Sequence, residues 1–154
     1  MTASPAADPR SDLGTLGTDP VFMLIRAGAV GRARGNEVLH QMGLKTRDYS
    51  IISTASTREI TQKELADFLM LNPSQVVALV DDLEARGLVK RTTSPHDRRA
   101  KIVVPTARGE KVFVEARERL AQTHEVLFAP LTQQERDTLL RVLPLLAFPD
   151  DITL

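Results

Sequence analysis

Apolar residues recur every three to four positions along most of this chain, which is the spacing of amphipathic helices. The first such segment covers residues 20–42. Its predicted apolar stripe is Phe22, Ile25, Ala29, Ala33 and Val38. Three glycines interrupt the segment on one face: Gly28, Gly31 and Gly35. They indicate either the close approach of a second helix or a bent helix.

Capping residues mark the next two helices. Thr46 is predicted to cap a second helix, whose apolar side includes Tyr49. Thr61 and Glu64 form a capping box, in which the hydroxyl accepts from the new helix and the glutamate reaches back. This third helix is predicted to end near Met70.

Another helix is predicted to begin at once. Asn72 can cap it, Pro73 takes the first helical position, where no N–H is needed, and Gln75 can close a box. The apolar positions that follow at spacings of four and three are Val76, Val80 and Leu83, before Gly87 ends the helix. Two short helices joined by a tight turn form a helix-turn-helix.

The pattern then changes to short segments with the composition of strands, residues 88–93 and 101–104. The loop between them is longer than a tight turn requires. Thr106 is predicted to cap a long helix with Val112, Val114, Ala116 and Leu120. Thr132 caps a last one, which Pro144 interrupts. The order predicts a mainly α (α+β) fold, a winged helix-turn-helix with helical arms at both ends.

Composition limits the classes of protein and of functional site that this chain can represent. A chain of 154 residues fits one domain, or one domain plus an oligomerisation arm. The absence of cysteine excludes disulfides, thiolate metal sites and a cysteine nucleophile. No apolar run approaches the roughly 20 residues of a membrane span, and the start lacks a signal pattern. We therefore expect a cytoplasmic protein. Residues 1–18 have little to bury and are predicted to be a flexible tail.

Charge is distributed unevenly. The net charge is zero, yet residues 86–111 contain eight basic and two acidic residues, about +6. A basic wing beside a helix-turn-helix attracts phosphate backbones, and an arginine-bearing loop can enter a minor groove. The alternative is a solvated charged loop with no partner.

The sequence contains no motif that is typical of a catalytic site. His40, His96 and His124 do not have metal-ligand spacing, and neither a phosphate-binding glycine loop nor a nucleophile motif occurs. We expect no enzyme, no metal and no cofactor. The remaining rival is a winged helix that contacts only other proteins and binds no specific DNA. The basic wing argues against it.

Three segments, KELADFL, VVALVDDLEARGLVKR and SPHDRRAKIVVPTARG, together resemble the MarR family of winged-helix transcription regulators. The resemblance covers roughly residues 43–111, and its most specific feature is an Asp-x-Arg wing followed by Thr-x-x-Gly. It implies a repressor that binds a pseudo-palindromic operator as a homodimer. Residues 19–43 and 107–154 would be the dimerisation arms, and residues 44–106 the DNA-binding lobe.

The resemblance also assigns residues to roles. The recognition helix would present Ser74, Gln75, Val77 and Ala78 to double-stranded DNA, and Gln75 either reads adenine or caps its helix. The wing would contribute Asp97, Arg98 and Arg99, with Asp97 holding an arginine extended. Phosphate contacts would come from Arg86, Lys90 and Lys101. Asp82 and Pro105 depart from the family pattern.

Members of the family commonly bind small aromatic or phenolic anions between the arms and the DNA-binding lobe. The residues that could line such an effector pocket here are Arg26, His40, Arg47 and Tyr49. Each also has an ordinary interpretation as a surface or core residue, and the sequence favours that interpretation.

Overall fold

Residues 11–148, which the computed structural model describes, form six α-helices, one 3-10 helix and three short strands. In chain order these are the 3-10 helix Ser11–Thr18, α1 (Pro20–Gln41), α2 (Thr46–Thr57), β1 (Ile60–Thr61), α3 (Gln62–Leu69), α4 (Pro73–Ala85), β2 (Val89–Thr93), β3 (Lys101–Pro105), α5 (Ala107–Phe128) and α6 (Gln133–Ala147). The predicted mainly α fold with a winged helix-turn-helix is confirmed.

Two capping boxes begin helices where the sequence predicts them. The Thr61 hydroxyl accepts from the Glu64 N–H at 3.2 Å, while a Glu64 carboxylate oxygen accepts from the Thr61 N–H at 2.7 Å. Thr132 and Glu135 repeat the arrangement at the start of α6. These contacts satisfy amide groups that a helix start leaves without partners.

The start of α2 differs from the prediction by one residue. Thr46 is the first helical residue, and Lys45 occupies the capping position. The carboxylate of Asp48 accepts from the Lys45 N–H at 3.0 Å, so an acid inside the helix performs the capping. The Asp48 side chain is buried.

The sheet has the order β1-β3-β2 and is antiparallel throughout. The two-residue strand β1, in which Ile60 pairs with Val103, was not predicted from the sequence. Strands β2 and β3 and the loop between them form the wing.

The core lies where the helix-turn-helix, the sheet and the start of α5 meet. The predicted inward residues of α4, Val76, Val80 and Leu83, are fully buried. In α5 the prediction of Val114 is wrong: Val114 is exposed and Phe113 is buried in its place. The buried positions are spaced by four, three and four residues from Gly109 to Leu120, and this phase places residue 113 inward.

Of the predicted apolar stripe of α1, Ile25, Ala29 and Ala33 are exposed within a single chain. Helix α1 instead meets α5 through glycines. A Cβ on Gly31 would lie 3.8 Å from Leu127, and one on Gly35 would lie 3.6 Å from Leu120. Close helix approach is confirmed for these two positions, while Gly28 has no such neighbour within 4 Å.

Gly109 has the tightest surroundings of the described glycines. A Cβ there would lie 1.9 Å from the Leu88 carbonyl oxygen. Thr106 holds the same junction: its hydroxyl donates to the Gly87 carbonyl at 2.7 Å and accepts from the Gly109 N–H at 3.0 Å. The Thr-x-x-Gly motif therefore joins the wing closely to α5.

The two ends of the chain differ in what the structure describes. Residues 1–10 of the predicted flexible tail lie outside the described range, whereas Ser11–Thr18 is a 3-10 helix, so regular structure begins earlier than predicted. Helix α6 has no buried residue. None of the described helices is long and apolar enough to span a membrane.

Candidate DNA-binding surface

The first turns of α4 present small side chains to solvent. Ser74, Gln75, Val77 and Ala78 are all exposed, as their predicted role requires. The Gln75 side-chain oxygen accepts from the Asn72 N–H at 3.1 Å. Gln75 therefore caps its own helix, which was one of the two interpretations open from the sequence.

Ser94 organises the loop of the wing. Its buried hydroxyl accepts from the N–H groups of His96, at 3.1 Å, and Asp97, at 3.3 Å. The carboxylate of Asp97 then accepts from the Arg99 N–H at 2.8 Å. This is an Asx-turn, in which a short acidic side chain replaces a backbone acceptor. The tip of the wing is thus folded by its own side chains.

The contact of Asp97 corrects one expectation. Asp97 was expected to hold an arginine side chain extended, but its carboxylate bonds to the backbone of Arg99. In the described part of the chain no acid forms an ion pair with Arg98 or Arg99. Both side chains are exposed at the tip and remain available to a partner.

The three residues predicted to contact phosphates have different surroundings. Lys90 and Lys101 are exposed on the strands of the wing, where the Lys101 ammonium donates to the Thr93 hydroxyl at 2.7 Å. Arg86, the third residue of the set, is bound to acceptors of the protein, and its predicted phosphate contact remains a prediction. Its guanidinium lies 3.0 Å from both Asp48 and Asp82.

The Arg86 guanidinium also donates to the Gly43 carbonyl at 2.6 Å. Burial lowers the pKa of Arg86, but hydrogen bonds and charges from Asp82 and Asp48 outweigh burial, and the pKa rises above its ordinary value. Arg86 thus joins the end of α4 to the residues around the start of α2. Asp82, the departure from the family pattern, is its partner.

A second arginine is also occupied by protein acceptors. Arg91 on β2 donates to Gln62 at the start of α3 and forms ion pairs with Asp81 and Glu84 on α4. We call these four residues the Arg91 cluster. The N–H of Arg91 also donates to Glu84 at 3.0 Å, and this bond is the main cause of the lowered pKa of Glu84.

His96, which had no role in the sequence analysis, lies 3.7 Å from the Glu59 carboxylate at the base of the wing. Glu59 also accepts from the Ser94 hydroxyl at 3.4 Å. The imidazole is exposed, so this contact is a surface one.

The four predicted effector-pocket residues differ in their exposure. Arg26, His40 and Arg47 are exposed. A cavity of about 580 Å³ lies between α1 and α5, but none of the four lines it. Its lining residues are Arg34, Glu37, Val38, Gln41, Arg119, Gln122, Thr123, Val126 and Leu127.

Of these four residues, Tyr49 is the one whose ring lies beside another aromatic side chain. Its ring lies 5.9 Å from the Phe113 ring, and the Arg117 guanidinium lies 5.7 Å from the same Phe113 ring. Burial raises the pKa of Tyr49, and the Arg117 charge partly opposes the shift. Phe113 and Arg117 were not predicted from the sequence, because only the helical phase of α5 brings them to Tyr49.

Groups of three or more histidine, cysteine, aspartate or glutamate residues that could hold a metal ion do not occur within residues 11–148. The surface formed by α4 and the wing presents exposed cations and small polar groups. Such a surface suits a polyanion.

Comparison with known proteins agrees with this interpretation. A model described as "MarR family" matches residues 42–100. The Escherichia coli regulator PrsX, named as HTH-type and transcriptional, is 31% identical over 138 residues, which cover 85% of this chain and 81% of PrsX.

Two solved structures are similar over most of their length. CouR from Rhodococcus jostii RHA1, bound to p-coumaroyl-CoA, is 34% identical, with a TM-score of 0.81 over 90% of this chain and 98% of CouR. The repressor CouR bound to a 23-mer DNA duplex is 30% identical, with a TM-score of 0.79 over 88% of this chain and 96% of that one.

Proposed function

Because this chain belongs to the MarR family of transcriptional regulators, we propose that it represses transcription as a homodimer bound to a pseudo-palindromic operator. Each protomer would place α4 in a major groove and its wing in the neighbouring minor groove. The observation that carries the proposal is the occurrence, in one lobe, of an exposed α4 face and a wing tip with two available arginines, Arg98 and Arg99.

Readout by α4 would depend on few polar groups. Ser74 and Gln75 can form hydrogen bonds to base edges, while Val77 and Ala78 suit the methyl group of thymine. Gln75 would have to release the Asn72 N–H to read a base. Since the face is mostly small and apolar, we propose that DNA shape and the wing arginines supply much of the specificity.

We assign the phosphate contacts to Lys90 and Lys101, which are exposed on the wing strands. We assign Arg86 a structural role instead, because Asp48, Asp82 and the Gly43 carbonyl already bind its guanidinium. Each lysine that contacts a phosphate adds to the salt dependence of binding and adds no sequence preference.

The arms supply the dimer interface in this proposal. Large apolar side chains are exposed on α1 and α6: Val21, Leu24, Ile25, Leu140, Leu145 and Leu146. An exposed apolar surface of this kind is typical of a face covered by a partner. Light scattering at micromolar concentration should give the mass of a dimer, and a monomer would contradict the assignment of the arms.

DNA binding is tested by footprinting the region upstream of the protein's own coding sequence. We expect protection of two half-sites about one helical turn apart. A duplex from the protected region should bind more tightly at moderate salt than a scrambled duplex of equal composition. Equal affinity would contradict a sequence-specific regulator. This role has no catalytic step, and we place it in the cytoplasm with the chromosome.

We also propose that a small aromatic or phenolic effector releases the DNA. Support comes from Tyr49, which has Phe113 and Arg117 beside it, a combination suited to a planar anion. The similar CouR structure contains p-coumaroyl-CoA. Titration of the protein–DNA complex with p-coumarate and, separately, with p-coumaroyl-CoA distinguishes a free acid from a thioester. Unchanged DNA affinity with both would contradict these ligands.

A further inference from the structure

The Arg91 cluster connects three elements of the DNA-binding lobe through one guanidinium. From β2, the Arg91 Nε donates to the Gln62 side-chain oxygen at 3.1 Å. Its two terminal nitrogens pair with Asp81 and Glu84 on α4. A planar guanidinium holds acceptors in fixed directions, so the cluster constrains α3, α4 and the wing relative to one another.

The position of Asp81 relates the cluster to DNA. Asp81 lies three residues after Ala78 and four after Val77, and Ser74 lies four residues before Ala78, so these side chains share one face of α4. This is the face proposed to enter the major groove. A carboxylate there repels phosphates. Arg91 pairs with this carboxylate from the side of the wing.

We propose that Arg91 is a positioning residue for DNA binding, which sets the spacing between α4 and the wing by holding Asp81 and Glu84, while its own side chain contacts no DNA. The inference rests on the proposed DNA-binding function. It explains why a basic residue of the wing is only one-quarter exposed and is surrounded by protein acceptors.

Asp81→Asn gives the sharpest test, because the two explanations predict opposite signs. If Asp81 were only an acid beside DNA, removing its charge would tighten binding. The positioning role predicts weaker binding, by about tenfold, because α4 and the wing lose a fixed ion pair. Asp67→Asn, which neutralises an exposed acid on α3, is the matched control and should leave affinity unchanged or raise it.

Arg91→Lys tests the arginine directly. It retains the charge but not the planar fork, so we expect affinity to fall about tenfold while the salt dependence keeps its slope. Lys90→Gln is the neighbouring control: it should reduce the slope by about 0.9, as loss of one phosphate contact requires. Wild-type affinity in Arg91→Lys would show that a point charge suffices at this position and would overturn the proposal.

The cost of a wing-tip substitution in two backgrounds is a measurement that a loss of stability alone would not change. In the wild type, Arg99→Ala should weaken binding; in an Arg91→Lys background the same substitution should cost less, because the wing is no longer placed on the groove. Equal costs in both backgrounds, in proteins shown to be folded by circular dichroism, would overturn the proposal.

If the proposed DNA-binding function itself were wrong, the experiments would give a different result. If wild-type protein does not distinguish the upstream duplex from the scrambled duplex, the DNA-binding proposal itself fails. If wild-type protein binds specifically and both Asp81→Asn and Arg91→Lys keep wild-type affinity, only the positioning role fails.

Discussion

The guanidinium of Arg86 lies over the carboxylate of Asp48, with 3.0 Å between Nη1 and Oδ2, and so joins the end of α4 to the start of α2. The Asp48 side chain is only 2% exposed, whereas that of Arg86 is 31% exposed. A buried carboxylate depends on its partner far more than a surface acid does. Arg86 is therefore a structural residue of the lobe.

Arg86→Gln should destabilise the protein by about 3 kcal/mol, because Asp48 would remain buried without a counter-charge. Urea denaturation monitored by circular dichroism measures this difference. The double variant Arg86→Gln with Asp48→Asn should recover part of the loss. If Arg86→Gln retained wild-type stability, the ion pair would not have the structural importance assigned to it.

Gly109→Ala should destabilise the protein by about 2 kcal/mol or more, because a Cβ would lie 1.9 Å from the Leu88 carbonyl oxygen. The matched control is Gly31→Ala in α1, where the nearest atom is an ordinary 3.8 Å away. That variant should be neutral or gain up to about 1 kcal/mol through helix propensity. Similar melting temperatures for the two variants would contradict the close junction between the wing and α5.

Stability should fall in acid. The pKa values of Glu64, Glu84 and Glu135 are lowered, chiefly by backbone N–H groups of Thr61, Arg91 and Thr132 that donate to them. The unfolded chain therefore binds protons more readily than the native protein. The stabilisation is complete above the ordinary glutamate pKa of 4.5 and is lost as the pH falls through the lowered values.

Urea denaturation at pH 7 and at a series of lower pH values measures this loss. Glu64→Gln removes one of the contributing groups and should make stability less dependent on pH. An identical pH dependence in the variant and the wild type would contradict a contribution from the Thr61–Glu64 box.

How well the sequence predicted structure depended on the distance between interacting residues. The Thr61–Glu64 and Thr132–Glu135 boxes span three positions, and both were predicted correctly. Arg86 finds Asp48 at a separation of 38 residues, so its sequence neighbours suggested only a free base. The same reason explains the missed strand β1, which is defined by its pairing with β3.

In the wing, prediction from the sequence was incomplete even for residues that are close together in the chain. The sequence identified Asp97 and Arg99 as a pair, but which atoms meet depends on the backbone path between them. That path is set by Ser94, whose buried hydroxyl binds two backbone N–H groups of the loop. Local composition was enough to predict the basic surface of the wing. The hydrogen bonds that shape its loop could be seen only in the folded structure.

Asp97→Ala should weaken DNA binding by about 1 kcal/mol although it removes a negative charge, because the Asx-turn that places Arg99 is lost. Asp97→Asn is the informative partner, since asparagine forms the same turn without the charge. It should bind DNA at least as tightly as the wild type. Weak binding by Asp97→Asn would indicate that the negative charge itself is needed, contrary to a purely structural role of the carboxylate.

The joint binding of DNA by α4 and the wing is tested most directly by the affinity for the footprinted duplex over a series of salt concentrations, for wild-type protein and Arg99→Ala. We predict preference for this duplex over a scrambled one, with a steep salt dependence of roughly −0.9 per phosphate contact. Arg99→Ala should remove about 1–3 kcal/mol of binding free energy. Equal affinity for both duplexes, unchanged by Arg99→Ala, would contradict the account.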